Sequence, residues 1–460
     1  MALALAFALY YGEGDAVSIL VSMTITISVG FLLWRAFKAE GELRIRDAFA
    51  IVSFGWITIV LFGTVPYLFS GTFSSFTDAL FESVSGFTTT GSSVLVDFDS
   101  VGPGILVWRS LTHWLGGLGI ILMVLAIFPV LGHGGMQLYH ASVSDISQEK
   151  LRPRIQNTAR ALFGVYLLIT TLEITFLLFG RLSIFDALCT AFGTVATGGF
   201  SPRKGSIAAY NSLYVELVVM VFMFLSGINF ALHFRALRGQ IKPLLRDEDV
   251  RFFLILILIS ITVVFLDLSI DFHQPWGSAL RQASFQVISL STTTGYVTAD
   301  YDSWRPFSRF LLLMLMFIGA CPGSTSGAIK NMRVLIAGKA LYREMRKLLH
   351  PQAVISLWFN GRPVADGLVQ KVVFYILLYL SVFFVGSLLM MICGLDMVSA
   401  LSSVAATLGG VGPGLGKVGP AANYASVPLL GKWVLCLCML LGRLEMYALL
   451  LLFFPEFWKR

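Results

Sequence analysis

The stretch SGFTTTGSS, residues 85–93, sets three serines, two glycines and three threonines beside apolar segments of membrane-spanning length. A similar stretch, LSTTTGYVT, returns at residues 290–298, about two hundred residues further along the chain. A polar, glycine-containing segment that recurs in a hydrophobic sequence indicates an internal repeat.

Four copies of this segment align without gaps. They are DALFESVSGFTTTGS (78–92), DALCTAFGTVATGGF (186–200), QASFQVISLSTTTGY (282–296) and SALSSVAATLGGVGP (399–413). Relative to the first copy, the other three are shifted by 108, 204 and 321 residues. One alanine and one glycine coincide in every copy, and the coinciding glycines are Gly91, Gly199, Gly295 and Gly412. The chain is therefore predicted to contain four equivalent units.

The composition indicates an integral membrane protein. Of the 460 residues, 57% are hydrophobic and 13% are charged, against about 25% charged in soluble domains. Several apolar runs reach the ~20 residues that cross a bilayer. Residues 1–11 form a shorter apolar run, which we interpret as a shortened first helix. Nine full-length spans are predicted at 16–36, 47–71, 104–131, 158–180, 212–238, 250–270, 307–347, 366–393 and 427–455.

The basic residues indicate topology. The net charge is +7, and 23 of the 33 Lys and Arg residues fall in alternate loops and at the C-terminus. The positive-inside rule makes those loops cytoplasmic, so nucleic-acid binding is a poor explanation of the positive charge. The five cysteines include no CxxC pair and are interpreted as packed thiols, and no two histidines have metal-ligand spacing.

Each repeated segment lies between two apolar spans. Only about 10–12 residues precede its Thr/Gly tail, and a helix of that length reaches about half-way through a ~30 Å hydrocarbon core. We therefore predict an all-α polytopic membrane protein with four pseudo-symmetric repeats around one central ion pore. Each repeat consists of a helix, a short helix that we name the pore helix, the Thr/Gly segment that we name the filter loop, and a further helix. The predicted units are the extra N-terminal helices (1–46) and the pore repeats 47–157, 158–248, 249–365 and 366–460.

Irregular backbone at membrane depth must be buried in protein or line a cavity. Four such loops around one axis would make a ring of carbonyl oxygens, which is how a filter replaces the hydration shell of a cation. Glycine permits the required backbone angles, and threonine adds hydroxyl oxygens. The absence of a carboxylate ring favours a monovalent ion over Ca²⁺. The predicted ion-binding residues are Thr89, Thr90, Gly91, Thr197, Gly198, Gly199, Thr293, Thr294, Gly295, Gly410, Val411 and Gly412.

Acidic residues stand at the start of two pore helices. Asp78 and Asp186 are interpreted most simply as N-caps or as partners of the helix dipole. The alternative is that they attract cations to an outer vestibule. Glu82, one turn further along, fits either role.

The segment 307–347 is too long for one span, because 41 residues would make a straight helix of ~61 Å. GACPGSTSG (319–327) lies inside it, and its proline and glycines predict a break. We predict a flexible intramembrane loop under the filter that gates conduction, and the alternative is a static kink. The predicted gate residues are Gly319, Pro322, Gly323, Ser324, Thr325 and Gly327, with Lys330 at the loop's exit as a cytoplasmic-side anchor.

Arg443 lies inside the last apolar span, where a charge is costly and often functional. Gly442 lies 30 residues after Gly412, close to the 26 to 28 residues that separate the other filter glycines from glycines in the spans that follow them. Arg443 is therefore predicted at the level of the gate, where it opposes ion passage or holds the loop. Its expected partners are Glu173 or loop carbonyls, and the alternative role is a structural salt bridge.

Two sets of sequence stretches carry a resemblance to a known family. The first set is the four filter stretches FTTTGS, ATGGFSP, STTTGY and LGGVGPGL. The second set lies in the helices that follow them: WRSLTHWLGGLGI (108–120), FMFLSGINFALHF (222–234), GACPGSTSGAIK (319–330) and LGRLEMY (441–447). On these stretches the chain resembles the TrkH/KtrB/HKT superfamily of potassium transporters, and the TrkH branch most. The resemblance implies K⁺ as the transported ion, one central pore per chain and a homodimer in the bilayer of the bacterial inner membrane. It also implies cytosolic RCK-type regulatory subunits, TrkA-like, that bind nucleotide. This chain has no nucleotide motif, and no organic cofactor is expected.

Filter chemistry alone does not select K⁺, because no copy reads TVGYG, the potassium-channel filter. The alternative within transport is a weakly selective K⁺/Na⁺ conductor or a carrier coupled to Na⁺ or H⁺. An enzyme or receptor is disfavoured, because no nucleophile–base pair, metal cluster or hydrolytic motif is found in the sequence.

Overall fold

The computed structural model describes residues 1–12, 14–37, 45–127, 151–271 and 275–459, and these residues are mostly helical. The helices and strands, numbered in chain order, are α1 (Ala2–Tyr11), α2 (Asp15–Ala36), α3 (Ile45–Phe69), α4 (Phe76–Phe87), α5 (Pro103–Ile127), α6 (Leu151–Phe179), α7 (Ile184–Val195), α8 (Leu213–Ser226), α9 (Phe230–Leu237), α10 (Ile241–Arg246), α11 (Glu248–Asp271), α12 (Trp276–Ser291), α13 (Pro306–Ile318), α14 (Asn331–Leu349), β1 (Leu357–Phe359), β2 (Arg362–Val364), α15 (Asp366–Ile392), α16 (Met397–Gly409), α17 (Leu429–Arg443), α18 (Tyr447–Leu450) and α19 (Pro455–Trp458).

The predicted repeat is confirmed. A long helix, a pore helix, an irregular loop and a further helix follow one another four times. The pore helices are α4, α7, α12 and α16, which contain 12, 12, 16 and 13 residues. Each packs against the helix before it and the helix after it. The first two helices stand outside the repeats, as predicted, and α1 is a short helix that ends at Gly12 in the left-handed conformation.

Among the described residues, five helices are long and apolar enough to cross a membrane, or up to seven if two bent pairs each count as one span. The prediction of nine full-length spans was wrong for 212–238 and 427–455. The chain bends by 100° between α8 and α9, and by 115° between α17 and the segment Tyr447–Phe453. The predicted break in 307–347 is present. The end of the predicted span 104–131 lies outside the described residues.

The two bends have local causes. Between α8 and α9 the Asn229 side chain caps α9, because its Oδ1 accepts a hydrogen bond from the Ala231 N–H (2.9 Å). Between α17 and α18, Glu445 and Met446 both have φ of 55°, a conformation that ends a helix. Neither bend contains proline, so neither is visible as a helix breaker in the sequence.

Serine and aspartate side chains begin three of the pore helices. The side chains of Ser75, Ser183 and Asp396 accept hydrogen bonds from backbone N–H groups of the first turn. Asp78 and Asp186 lie inside the first turn, where a negative charge complements the helix dipole. The N-cap interpretation was therefore wrong for these two residues, and the dipole interpretation fits.

A small β-hairpin follows α14 on the side assigned to the cytoplasm. Strands β1 and β2 pair antiparallel, and Phe359 lies opposite Arg362. Asn360 and Gly361 join them with φ of 49° and 71°, which suits a two-residue hairpin turn. All five cysteines are free thiols, and four of them are buried, as predicted.

Candidate ion filter and gate

The four filter loops, residues 88–93, 196–201, 292–297 and 409–414, share one backbone conformation. In each, two residues separated by a single residue have positive φ. Threonine rarely adopts this conformation, and each instance costs about 1–3 kcal/mol. Along an extended strand, successive carbonyls point in opposite directions. Positive φ at alternate residues turns these carbonyls to the same side of the chain. The residues are Thr89 (53°) and Gly91 (84°), Thr197 (51°) and Gly199 (78°), Thr293 (60°) and Gly295 (77°), and Gly410 (67°) and Gly412 (101°).

The filter loops touch one another in a closed ring. The four glycines that coincide in the sequence alignment, which we name the repeat glycines, each lie against a filter loop of the next repeat. If such a glycine carried a Cβ atom, that atom would collide with a backbone carbonyl oxygen of the neighbouring loop. The carbonyl belongs to the residue just before the repeat glycine of that loop. The contacts run from the first repeat to the second, third and fourth, and then back to the first. They join Gly91 to Gly198, Gly199 to Thr294, Gly295 to Val411, and Gly412 to Thr90. The sequence alignment predicted which residues are equivalent, and these contacts bring them together.

The threonine side chains hold the filter loops in place. The hydroxyls of Thr88 and Thr90 are 2.8 Å apart, and those of Thr292 and Thr294 are also 2.8 Å apart. The hydroxyls of Thr90 and Thr294 therefore already have partners next to their own pore helices. The backbone carbonyls are consequently the main oxygen atoms that the ring can offer to an ion.

The segment Gly319–Lys330, which we name the gate loop, separates α13 from α14. Gly319 leaves the helix with φ of 70° and ψ of −161°. The two ends of the loop are held together, because the Ile329 N–H donates to the Phe317 carbonyl and the Asn331 N–H to the Ala320 carbonyl, both at 3.1 Å. The loop is thus a compact unit inserted between two helices.

Pro322 and Gly323 form the turn of the gate loop. Ser324 N–H donates to the Cys321 carbonyl (3.3 Å), and Gly323 has φ of 76°. Proline at the second position and a positive-φ glycine at the third are typical of a type II turn. The Gly323 carbonyl accepts from the Phe230 N–H (3.0 Å), so the turn rests on the bend between α8 and α9.

The gate loop contacts three of the four filter loops or the pore helices that lead into them. Thr325 donates its hydroxyl to the Val195 carbonyl (3.0 Å) and lies 3.2 Å from the Thr197 hydroxyl. Gly327 N–H donates to the Thr293 hydroxyl (2.9 Å). A Cβ atom at Gly327 would overlap the Gly409 carbonyl oxygen. These contacts are made at the C-terminal ends of the pore helices or just after them.

Arg443 connects the gate loop to the first repeat. Its Nη1 donates to the Thr325 carbonyl and its Nη2 to the Gly116 carbonyl on α5, both at 2.9 Å. The expectation of a loop carbonyl as partner is confirmed. The expectation of Glu173 was wrong: that carboxyl is fully buried and has no hydrogen-bond partner among the described residues. No described carboxylate forms an ion pair with Arg443, and its Nε is buried without a hydrogen-bond partner among the described residues.

Lys330 closes the cytoplasmic end of the gate loop. Its Nζ lies 3.4 Å from Glu445, and Glu445 also pairs with Arg333 on α14. Only 5% of Lys330 is exposed. The lysine therefore anchors the end of the loop to the bend after α17.

One buried ion pair near the filter was missed. Arg109 is not among the predicted site residues, but the structure places it on α5, 3% exposed, with its Nε 2.5 Å from Glu82 on α4. The signal was present in the sequence, because Arg109 interrupts a predicted span in the same way as Arg443 does.

These features define a class of protein. A closed ring of four backbone loops inside a multi-pass helical membrane protein, covered on one side by a loop and an arginine, is the organisation of a cation transporter built from four pore repeats.

Comparison with known proteins agrees with this class. Residues 16–460 match the family model of TrkH, described as a cation transport protein, and the chain belongs to the TrkH family. It is 40% identical over 460 residues to the Trk system potassium uptake protein TrkH of Salmonella typhimurium, covering 98% of this chain and 94% of that protein. It is 35% identical over 459 residues to Trk system potassium uptake protein TrkG of Escherichia coli, covering 98% and 94%.

The crystal structure of the potassium transporter TrkH from Vibrio parahaemolyticus is similar over 100% of this chain and 96% of that one, with a TM-score of 0.92 and 36% identity. The predicted fold is therefore confirmed, as is the prediction of a transport protein and not an enzyme. The predicted multi-pass protein of the bacterial inner membrane is confirmed as well.

Proposed function

We propose that this chain carries K⁺ into the cell through the ring of filter loops. The closed cycle of contacts among the four repeat glycines is the observation that supports this most strongly. Relatives named as potassium uptake proteins support the choice of ion. An inside-negative membrane potential favours inward K⁺ movement by ~2.3 kcal/mol per 100 mV.

The proposed filter consists of the carbonyl oxygens of Thr90, Gly198, Thr294 and Val411, with those of neighbouring residues in each filter loop. They replace the water that a K⁺ ion loses on entering the ring. The C-terminal ends of the four pore helices face the same place, and their partial negative charges favour a cation. Residues Thr89, Gly91, Thr197, Gly199, Thr293, Gly295, Gly410 and Gly412 complete the proposed ion-binding loops.

The proposed gate is the gate loop together with Arg443. The loop contacts the second, third and fourth filter loops or their pore helices, and Arg443 extends the contact to the first repeat. An ion leaving the ring would meet both the loop and the positive charge. Conduction therefore requires the loop to move and Arg443 to release the Thr325 carbonyl. Gly319, Pro322, Gly323, Ser324 and Gly327 shape the loop, and Lys330 anchors its end.

The proposed assembly follows the relatives, whose names refer to a Trk system and thus to more than one component. We propose a homodimer in the bilayer that binds cytosolic RCK-type, TrkA-like subunits, which carry the nucleotide site. Co-purification of the chain with such a subunit, and a change of the complex on adding ATP or ADP, would test this.

Two alternatives remain for the transport mode. One is weak selection between K⁺ and Na⁺. The other is coupling to Na⁺ or H⁺, and the buried, unpartnered carboxyl of Glu173 is the feature that favours a proton. In a coupled carrier, K⁺ entry would move protons, and Glu173→Gln would abolish that movement. In a pore, neither effect would occur.

The function is tested by uptake of radioactive Rb⁺ into liposomes that contain the purified chain. With an inside-negative potential, we expect Rb⁺ uptake that excess K⁺ blocks and that the same concentration of Na⁺ blocks much less. Equal block by Na⁺ supports the weakly selective alternative, and an absence of cation uptake contradicts the proposal.

Neutralising Glu445 is predicted to raise this uptake several-fold. Glu445→Gln removes the charge that holds both Lys330 and Arg333, so the end of the gate loop loses its anchor. Glu248→Gln is a matched control: the Glu248 side chain is 33% exposed against 28% for Glu445, and it pairs with Lys339 away from the gate loop. Equal uptake by the two variants would contradict an anchoring role.

A further inference from the structure

Three of the four pore helices hold the chain that leaves their own filter loop in the same way. A polar side chain on the pore helix accepts a hydrogen bond from a backbone N–H beyond the filter glycine. In the first repeat Glu82 accepts from Val94 (2.9 Å), and in the fourth Ser402, one residue before the position equivalent to Glu82, accepts from Leu415 (2.9 Å). In the third, Gln286 accepts from Thr298 (2.8 Å) when its carboxamide is oriented to satisfy both groups. Val94, Thr298 and Leu415 are equivalent positions in the repeats.

The second repeat lacks this hydrogen bond between pore helix and exit chain, which we name the clamp. The residue equivalent to Val94 is Pro202, which has no N–H to donate. The residue equivalent to Glu82 is Thr190, whose hydroxyl lies 3.3 Å from that of Tyr210 instead. The chain that leaves the second filter loop is therefore not held by its own pore helix through this contact.

Arg109, from the first repeat, occupies the place of the missing clamp. Its Nη1 donates to the Ser201 carbonyl (2.9 Å), next to Pro202, while its Nε donates to Glu82 (2.5 Å). Glu82 in turn accepts from the Ser93 hydroxyl (2.8 Å) and the Val94 N–H. One buried ion pair thus connects the exits of the first and second filter loops.

Phe200 extends this connection to the ring itself. Its aromatic ring lies between the Arg109 guanidinium, 3.5 Å from the ring centroid, and the His113 imidazole, which stacks on it at 4.0 Å. His113 packs so closely on Gly198 that a Cβ atom there would overlap the imidazole. The Phe200 carbonyl accepts from the Tyr296 hydroxyl (3.3 Å), in the third filter loop.

We propose that Arg109, held by Glu82, is a positioning residue that fixes the second filter loop and so determines how well the ring discriminates K⁺ from Na⁺. Discrimination by a carbonyl ring depends on the positions and stiffness of its oxygens. Hydrogen bonds to a charged group are stronger than those between neutral groups, so a guanidinium is a stiff substitute for the missing clamp. Lysine cannot replace it, because a single ammonium lacks the planar fork that bonds two partners and stacks on Phe200. This inference depends on the proposed filter function.

The experiment compares Na⁺ competition against Rb⁺ uptake in the full-length chain and its variants. Glu82→Gln/Arg109→Gln removes both charges together, so that neither is left buried alone. We expect Na⁺ to compete at least about tenfold better than in the wild type, because the variant loses a hydrogen bond from a charged donor. Arg109→Lys, which keeps the charge, should lose selectivity in the same direction.

Glu216→Gln/Arg281→Gln is the control, because it also removes an Arg–Glu pair whose carboxylate is buried: Glu216 is 2% exposed and accepts two hydrogen bonds from Arg281, at 2.6 and 2.7 Å, and none of the described hydrogen bonds or ion pairs joins this pair to a filter residue. It should keep wild-type selectivity. If the double variant does not fold, Arg109→Lys decides the result.

Wild-type selectivity in a folded Arg109 variant, or an equal loss in the control, would overturn the inference while leaving the proposed function standing. A wild type without cation uptake would overturn both.

Discussion

Replacing Gly295 with alanine should reduce Rb⁺ uptake by more than about tenfold and remove the preference for K⁺ over Na⁺. Gly295 has φ of 77°, and a Cβ atom there would overlap the Val411 carbonyl oxygen and lie 2.8 Å from Pro413. The third and fourth filter loops must therefore move apart. A displaced carbonyl no longer completes the coordination of a dehydrated ion, so the effect falls on both rate and selectivity. The measurement is Rb⁺ uptake into liposomes with K⁺ and Na⁺ as competitors.

The control for this prediction is Gly205→Ala. Gly205 has φ of 85°, and a Cβ atom there would meet no heavy atom within 4 Å. It therefore shares the backbone strain of about 1–2 kcal/mol that alanine suffers in this conformation, but not the collision. Uptake by Gly205→Ala should stay close to wild type. Similar losses in the two variants would show that strain alone causes the effect, and would contradict close contact between filter loops as its origin.

Replacing Arg443 with glutamine should raise Rb⁺ uptake by about tenfold or more. The substitution removes a positive charge from the path beneath the ring and both hydrogen bonds that tie the Thr325 carbonyl to Gly116. A hydrogen bond from a charged donor contributes about 1.5–3 kcal/mol, so the closed position of the gate loop loses much of its support. Arg443→Lys should fall between glutamine and wild type, because it keeps the charge but not the two-pronged contact.

Lys432→Gln tests whether any lost positive charge on α17 has this effect. Lys432 lies near the start of the same helix, which ends at Arg443; it is 7% exposed and pairs with Asp78 at 2.6 Å. Its substitution should leave uptake unchanged at matched protein density. Unchanged uptake in Arg443→Gln would contradict the proposed gate and favour a structural role for the arginine.

The sequence predicts the filter loops well because their information is local and repeated. Equivalent residues keep equal spacing within each copy, and glycine is needed where φ is positive and a neighbouring carbonyl is close. The break at Gly319 is likewise visible, since a 41-residue apolar segment with Pro322 inside it cannot form one span.

The bends after α8 and α17 could not be predicted in the same way. Gly227 and Asn229 occur in many continuous helices, and here Gly323 of the gate loop packs against Asn229 and fixes the bend. Glu445 adopts its unusual φ next to Arg333 and Lys330, which are more than a hundred residues earlier in the chain. Such contacts appear only when the repeats are assembled.

The partners of the buried charged residues could not be predicted from the sequence either. Glu82 and Arg109 are 27 residues apart on different helices, so periodicity within one helix does not connect them. Arg443 bonds to two backbone carbonyls, and a carbonyl leaves no signal in the sequence. Hydropathy could indicate that Arg109 and Arg443 are unusual, but only the fold shows what each of them holds.

In the proposed filter, the carbonyl oxygens of Thr90, Gly198, Thr294 and Val411 surround a dehydrated K⁺ ion. Anomalous X-ray diffraction from crystals soaked in Rb⁺ locates the bound cations and so tests this arrangement. We expect Rb⁺ peaks on the axis enclosed by these four carbonyls, and we expect excess K⁺ to weaken them much more than excess Na⁺ does. Rb⁺ bound elsewhere in the protein, with no peak inside the ring, would contradict it.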